Sequence, residues 1–107
     1  MMKVTEEILH PSRSDIELGA VLHALSDDVR LNIVAALATT EREATCGSFD
    51  VPVTKSTCTH HFKVLREAGV THTRANGTKR MMSLRRDELE ERFPGLLGSI
   101  LQSSKAA

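Results

Sequence analysis

Short hydrogen-bond donors and positive charges share one face of a predicted helix in the middle of the chain. In the segment Thr54–Gly69, this face carries Lys55, Ser56, Thr59, His60 and Lys63. Hydroxyl and imidazole groups can bond to base edges in a groove, and ammonium groups attract phosphates. The face therefore has the chemistry needed to contact nucleic acid.

The opposite face of the same segment is apolar. Cys58, Phe62, Leu65 and Gly69 follow i, i+4, i+7, i+11, which predicts one buried stripe on a helix. A threonine at position 54 can cap the helix N-terminus, and Gly69 stands where a left-handed residue ends a helix. We predict a helix over Thr54–Ala68, with His61 partly packed and Cys58 a small buried hydrophobe.

A β-hairpin is predicted directly after this helix, in Val70–Leu84. The pair Asn76-Gly77 is the strongest short hairpin signal. Placing it at the turn centre brings cations to the tip by pairing Ala75 with Thr78, Arg74 with Lys79, and Thr73 with Arg80.

The charge of the chain is segregated although its net value is zero. Lys55–Arg86 holds eight basic residues and one acidic residue, whereas Met1–Val53 holds four basic and nine acidic residues. A local basic stripe of this kind is the electrostatic footprint of nucleic-acid binding. The chain has no Trp or Tyr and three Phe, which makes stacking on single-stranded bases a poor explanation.

Further helices must position the helix and hairpin. Ser14-x-x-Glu17 is a capping box that predicts a helix start, and Ser26-Asp27-Asp28 predicts the start of the next helix. A short, weak helix over Ala44–Phe49 and a turn over Asp50–Val53 complete a helix-turn-helix. Two C-terminal helices are predicted over Asp87–Phe93 and Gly95–Gln102.

The 107 residues predict one domain. We expect a flexible arm over 1–13, a DNA-binding and dimerisation domain over 14–102, and a frayed tail over 103–107. The absence of a signal peptide and of a long apolar run predicts a cytoplasmic protein with reduced cysteines. No nucleophile–base pair or phosphate-binding glycine loop is evident, so an enzyme is not expected.

With these elements placed, the chain resembles the ArsR/SmtB-type winged helix-turn-helix repressors. The segments that carry the resemblance are Leu22–Leu37, Lys55–Gly69 and the wing with Asn76-Gly77. It implies a mainly α fold with a β-hairpin wing, and a homodimer that binds duplex DNA under effector control. The predicted DNA-binding residues are Lys55, Ser56, Thr57, Thr59, His60 and Lys63 in the helix and Arg74, Asn76, Lys79 and Arg80 in the hairpin.

The predicted dimer interface is formed by apolar residues of the first and last helices. An exposed ridge of this size is unusual on a monomer, and a two-fold pairing would match a palindromic operator. The residues are Leu18, Val21, Leu22, Leu96, Leu97, Ile100 and Leu101.

The effector is the open question, because this chain departs from the two best-known metal sites of the family. The helix before the recognition helix has one thiol, Cys46, and no histidine follows His72. One hypothesis is a nickel or zinc site at the dimer interface, with His10, His23, Asp15 and Glu17 as ligands. The alternatives are thiol oxidation at Cys46 and, for the protein as a whole, a protein-interaction module built on a winged helix.

Overall fold

In the computed structural model, residues 8–40, 43–45 and 55–106 are described, and they form five α-helices and one antiparallel hairpin. A 3₁₀ turn at Arg13–Asp15 precedes α1 (Leu18–Leu25) and α2 (Asp28–Thr40). The helix α3 (Lys55–Ala68) leads into β1 (Thr71–Asn76) and β2 (Lys79–Leu84), which are followed by α4 (Arg86–Arg92) and α5 (Leu96–Ala106). None of these described helices has the length and apolar character of a bilayer span.

The hydrophobic core lies where α1, α2 and α3 contact one another. Cys58, Phe62 and Leu65 of α3 are buried there, as the apolar spacing predicts. Cys58 is buried and forms no disulfide bond with another described residue, which confirms its interpretation as a small core residue. Other core side chains at this junction are Val21, Ala24, Leu25, Ile33, Val34 and Leu37. With its apolar stripe covered by two helices, α3 leaves its polar face outward.

The start of α2 is capped as predicted. The backbone N–H of Arg30 donates to Oδ2 of Asp27 over 3.0 Å. This places Asp27 immediately before the helix, in the capping position. The same hydrogen bond is the main cause of the lowered pKa of the Asp27 carboxyl.

The predicted capping box at Ser14 is wrong. Ser14 lies in the 3₁₀ turn, and α1 begins only at Leu18, with no side-chain cap from Glu17. Between the two, Ile16 has an extended backbone and is 1% exposed. Burial of this large side chain outweighs the few tenths to about 2 kcal/mol that a local cap contributes.

The end of α3 at Ala68 is confirmed, and it is a Schellman motif. Gly69 has φ +88°. Its N–H donates to the carbonyl of Arg66 over 3.0 Å, and the Val70 N–H donates to that of Leu65 over 3.0 Å. Leu65 and Val70 are fully buried, which supplies the hydrophobic contact that accompanies this motif.

The hairpin is present, but its predicted register is wrong. Asn76 pairs with Lys79, so Gly77-Thr78 forms the two-residue loop instead of Asn76-Gly77. Gly77 has φ +65° at the first central position, where hairpin turns need a positive φ. Thr73 lies opposite Met82, and both are buried. Lys79 and Arg80 on β2 are consequently one residue pair nearer the tip of the hairpin than predicted, with Arg80 opposite Ala75.

Ala44 extends the hairpin on its inner side. It forms an antiparallel bridge with Met82 through two backbone hydrogen bonds of 2.8 Å. The prediction of a helix that starts at Ala44 is therefore wrong at that residue. The rest of that predicted helix (46–49), the turn 50–53 and the capping residue Thr54 lie outside the described residues.

The two ends of the domain also differ from expectation. Residues 8–12, predicted as part of a flexible arm, contact the hairpin and α4 region through His10 and Pro11. At the other end α5 continues to Ala106, whereas the apolar pattern predicts an end at Gln102. The helix α4 starts and stops one residue before its predicted bounds.

Candidate nucleic-acid interface

The outward face of α3 carries the predicted contact residues. The side chains of Thr57, Thr59, His60 and Lys63 are exposed. Lys55 and Ser56 occupy the first turn of the same helix. These residue types can reach base edges and phosphates when a helix enters a major groove.

Arg30 holds α3 in position, a role that the sequence did not suggest to us. Its side chain is buried, and its Nε donates to the carbonyl of Ala24 over 2.7 Å. Its Nη1 lies 3.1 Å from Nδ1 of His61 on α3. Because a guanidinium has no acceptor, Nδ1 of His61 is the acceptor in this bond. The sequence feature that could have indicated this role is the position of Arg30 among the apolar residues of α2.

The hairpin and α3 border a common cleft, which we call the α3–wing cleft. It has a volume of about 260 Å³. Thr59, Lys63 and Arg66 line it from α3, and Arg80 lines it from β2. The recognition face and the wing therefore present cationic groups around one concavity.

Arg74, Arg85 and Arg86, which belong to the basic segment 55–86, are engaged within the molecule. The Arg74 guanidinium forms a bidentate ion pair with the Glu43 carboxylate, with Nε donating over 2.6 Å and Nη2 over 2.7 Å. This bond lowers the pKa of the Glu43 carboxyl and raises that of the Arg74 guanidinium. Arg85 pairs with Glu88 over 2.7 and 2.8 Å, and Arg86 donates to the carbonyl of Ala38 over 2.8 Å. Arg74 thus contributes less net charge to a nucleic-acid surface than a sequence count suggests.

Comparison with known proteins agrees with this geometry. Residues 25–74 match the family model described as a helix-turn-helix domain. Over 91 residues the chain is 37% identical to YceK, an HTH-type transcriptional regulator of Bacillus subtilis (strain 168). This alignment covers 82% of the chain and 91% of YceK.

Two solved structures have a similar fold. The transcriptional repressor BigR from Xylella fastidiosa superposes with a TM-score of 0.56 at 27% identity, over 71% of this chain and 85% of BigR. A transcriptional regulator of the ArsR family superposes with a TM-score of 0.64 at 17% identity, over 84% of this chain and 97% of its own.

The chain belongs to the helix-turn-helix transcriptional regulators. Its relatives are transcriptional regulators, which confirms the resemblance and the expectation that the protein is not an enzyme. The winged-helix fold class is confirmed with it.

In this transcriptional regulator the ring of His10 is held by contacts within the chain. Its Nε2 accepts from the backbone N–H of Thr73 over 3.0 Å, and its ring also bonds to the backbone of Ile8. The ring stacks on His72 with 4.3 Å between centroids. Burial, followed by the charges of His72 and Arg85, lowers the pKa of His10. The residue is a neutral link between the N-terminal segment and the wing.

The other predicted ligands do not join His10. Oδ2 of Asp15 accepts from the hydroxyl of Ser12 over 2.8 Å. Glu17 precedes α1 and His23 lies exposed in its last turn. No three His, Cys, Asp or Glu side chains of the described residues are grouped so as to hold a metal ion. The described residues of one chain do not bring these four side chains together, and a nickel or zinc site shared between two subunits stays a prediction.

The predicted thiol switch lies beyond what the structure describes, because Cys46 is outside the described residues.

The predicted interface residues are divided between the core and the surface. Val21 and Leu97 are buried within the single chain, whereas Leu18 and Leu22 are 45% and 44% exposed. Leu96, Ile100 and Leu101 are partly buried against the core.

Proposed function

We propose that this transcriptional regulator binds duplex DNA as a homodimer, with α3 in the major groove and the hairpin tip on the adjacent backbone. The observation that supports this most directly is the common cleft, where Lys63 and Arg66 of α3 and Arg80 of the wing lie together. A helix and a hairpin with cations on the same side match the groove and backbone of B-DNA at once.

In this proposal, base edges and phosphates are contacted by different residues. Exposed Thr59 and His60, together with Ser56 and Thr57, face the bases because hydroxyl and imidazole groups make directional bonds. The ammonium and guanidinium groups of Lys55, Lys63, Lys79 and Arg80 contact phosphates. Arg74 contributes less, because Glu43 already occupies its guanidinium.

Removal of a phosphate contact on the wing should weaken binding to every duplex alike. We expect Lys79→Ala to reduce the slope of log affinity against log salt by about one unit, since one fewer counterion is released. Fluorescence anisotropy over a salt series with specific and unrelated duplexes measures both quantities.

Two variants serve as controls for this experiment. Arg74→Ala should change the slope less than Lys79→Ala, because Arg74 is paired with Glu43. His60→Ala should instead narrow the difference between specific and unrelated duplexes. If Lys79→Ala leaves both the affinity and the salt slope unchanged, the proposal that the wing contacts DNA is contradicted.

The dimer is supported by the outer face of α1. Leu18 and Leu22 lie one turn apart and are each nearly half exposed. Large apolar side chains left together on a surface favour burial against a partner. We place the two-fold interface at this face and at α5, so that the two α3 helices lie about 34–36 Å apart and match a palindromic site.

A charge placed on this face should separate the two subunits. We expect Leu22→Asp to be monomeric at micromolar concentration, because a carboxylate would be buried without a partner. Sedimentation velocity of the variant and of the wild type measures this. Leu9→Asp is the control, because Leu9 is a leucine outside α1 that is more exposed than Leu22, and its replacement should leave the dimer intact. A monomeric wild type, or a dimeric Leu22→Asp, would contradict the interface.

A further inference from the structure

The floor of the α3–wing cleft is apolar. Phe62 of α3 and Met82 of β2 line it, and both side chains are otherwise part of the hydrophobic core. A volume of about 260 Å³ is slightly below the usual range of small-molecule pockets, which begins near 300 Å³. The cleft is therefore large enough for a compact organic group.

Two polar atoms in the wall of this cleft have no hydrogen-bond partner. Thr73 is 5% exposed, and its hydroxyl is unpaired within the described part of the chain. Nε of Arg66 is likewise buried and unpaired among the described residues. Buried polar groups without partners are rare in native proteins because each one loses its hydration. Because less than 1 Å² of either atom is exposed, a ligand reaches them only when the Thr73 and Arg66 side chains turn into the cleft.

The cleft is also positively charged. Lys63, Arg66 and Arg80 line it, and no carboxylate occurs among the described residues that do so. Elsewhere on the same hairpin and after it, arginines are neutralised by Glu43 and Glu88. Within the described residues, Lys63 and Arg66 form no such ion pair. A charged guanidinium is best satisfied by an anion that accepts more than one of its N–H groups.

We propose that the α3–wing cleft binds a small organic anion, with its carboxylate or phosphate group on Arg66 and Thr73 and its apolar body on Phe62 and Met82. A backbone phosphate of duplex DNA fits these observations less well. A phosphate of the DNA backbone carries no apolar group that could cover Phe62 and Met82 at the floor of the cleft.

The consequence for regulation rests on the proposed function. A ligand in this cleft lies between the two elements that would contact DNA, so ligand and DNA would exclude each other. By linkage, each would lower the affinity of the other by the same factor.

Ligand binding is tested on the full chain without DNA, with benzoate and phenyl phosphate as probes. Both probes should shift the Met82 methyl signal and the Thr73 amide signal in NMR spectra, saturably, with dissociation constants on the order of 1 mM. Benzamide, which has the same ring and no charge, should bind at least tenfold more weakly. Absence of a saturable shift with either anion, or equal binding of benzamide, overturns the proposal.

The chain offers a closely matched pair of variants. Thr73→Val removes the hydroxyl that lines the cleft and keeps the shape of the side chain. Thr71→Val makes the same change two residues earlier on the same face of β1, at a buried and likewise unpaired hydroxyl that does not line the cleft. We expect about a tenfold loss of probe affinity for Thr73→Val and none for Thr71→Val. Equal effects would overturn the assignment of Thr73.

A second measurement adds duplex DNA. Sodium benzoate should release DNA at a lower concentration than sodium chloride of equal ionic strength, since salt alone also weakens DNA binding. This arm is separate from the first. Probe binding to a chain that does not bind DNA would refute only the proposed function. DNA binding by a chain that ignores both probes would refute only the cleft.

Discussion

Replacement of Gly69 by alanine should lower the free energy of unfolding by about 3 kcal/mol. Gly69 has φ +88°, a conformation that costs an L-residue roughly 1–2 kcal/mol. A Cβ built there lies 2.6 Å from Cγ1 and 3.0 Å from Cδ1 of Ile16. Because Ile16 is fully buried, it cannot move aside without disturbing the core, and overpacking of this kind adds roughly 1–3 kcal/mol.

Gly95→Ala separates the two contributions. Gly95 has φ +80°, and a Cβ there would meet no atom within 4 Å. Gly95→Ala should lower the free energy of unfolding, measured in urea, by about 1 kcal/mol, because only the backbone conformation is strained. Adding Ile16→Ala to Gly69→Ala should give a double variant that loses less than the sum of the two single variants, since the overlap is removed. Equal losses for Gly69→Ala and Gly95→Ala would show that the contact with Ile16 has no energetic weight.

This same contact explains where sequence analysis succeeded and where it failed. The end of α3 was predictable, because the glycine that forms a left-handed cap follows directly after the helical pattern. The start of α1 was not, because the contact that keeps Ile16 extended comes from Gly69, 53 positions later in the chain. A capping box is a local signal, and here a distant contact outweighed it.

The wing gives a similar lesson about charge and register. The hairpin follows from its glycine and its alternating side chains, and it was predicted. The predicted register was wrong, because in the structure Met82 pairs with Thr73 on one side and with Ala44 on the other. Likewise, a count of charges cannot show that Glu43 folds back onto Arg74, 31 residues away. The cleft between α3 and the wing required both elements to be placed in three dimensions.

Arg30→Met should cost about 3 kcal/mol of unfolding free energy. The Arg30 side chain donates to the carbonyls of Ala24 and His23 at the end of α1, over 2.7 and 3.5 Å, and to Nδ1 of His61 over 3.1 Å. The His23 carbonyl also accepts from the backbone N–H and the hydroxyl of Ser26, so the loss falls on the other two acceptors. Methionine would leave the Ala24 carbonyl, in the last turn of α1, and Nδ1 of His61 without this donor. Each such group costs roughly 1–3 kcal/mol. Urea unfolding measures the loss.

Arg13→Met is the control for loss of an arginine. Arg13 pairs with Glu91, but the two side chains are 54% and 61% exposed, and exposed pairs contribute at most about 1 kcal/mol. The larger loss for Arg30→Met therefore measures burial and hydrogen bonding rather than charge. Similar losses for the two variants would contradict the role given to Arg30.

Arg30→Met should also weaken DNA binding under conditions where the variant remains folded. His61 is the neighbour of His60 on α3, so release of the Arg30–His61 bond frees the recognition helix to shift relative to α1 and α2. A displacement of the helix misaligns base contacts, which are directional, more than phosphate contacts, which are electrostatic. We therefore expect the preference for a specific duplex to fall while the salt dependence is kept. Circular dichroism shows that the variant is folded, and anisotropy with two duplexes compares the affinities. A variant that is destabilised yet retains full sequence preference would show that Arg30 stabilises the fold without orienting α3.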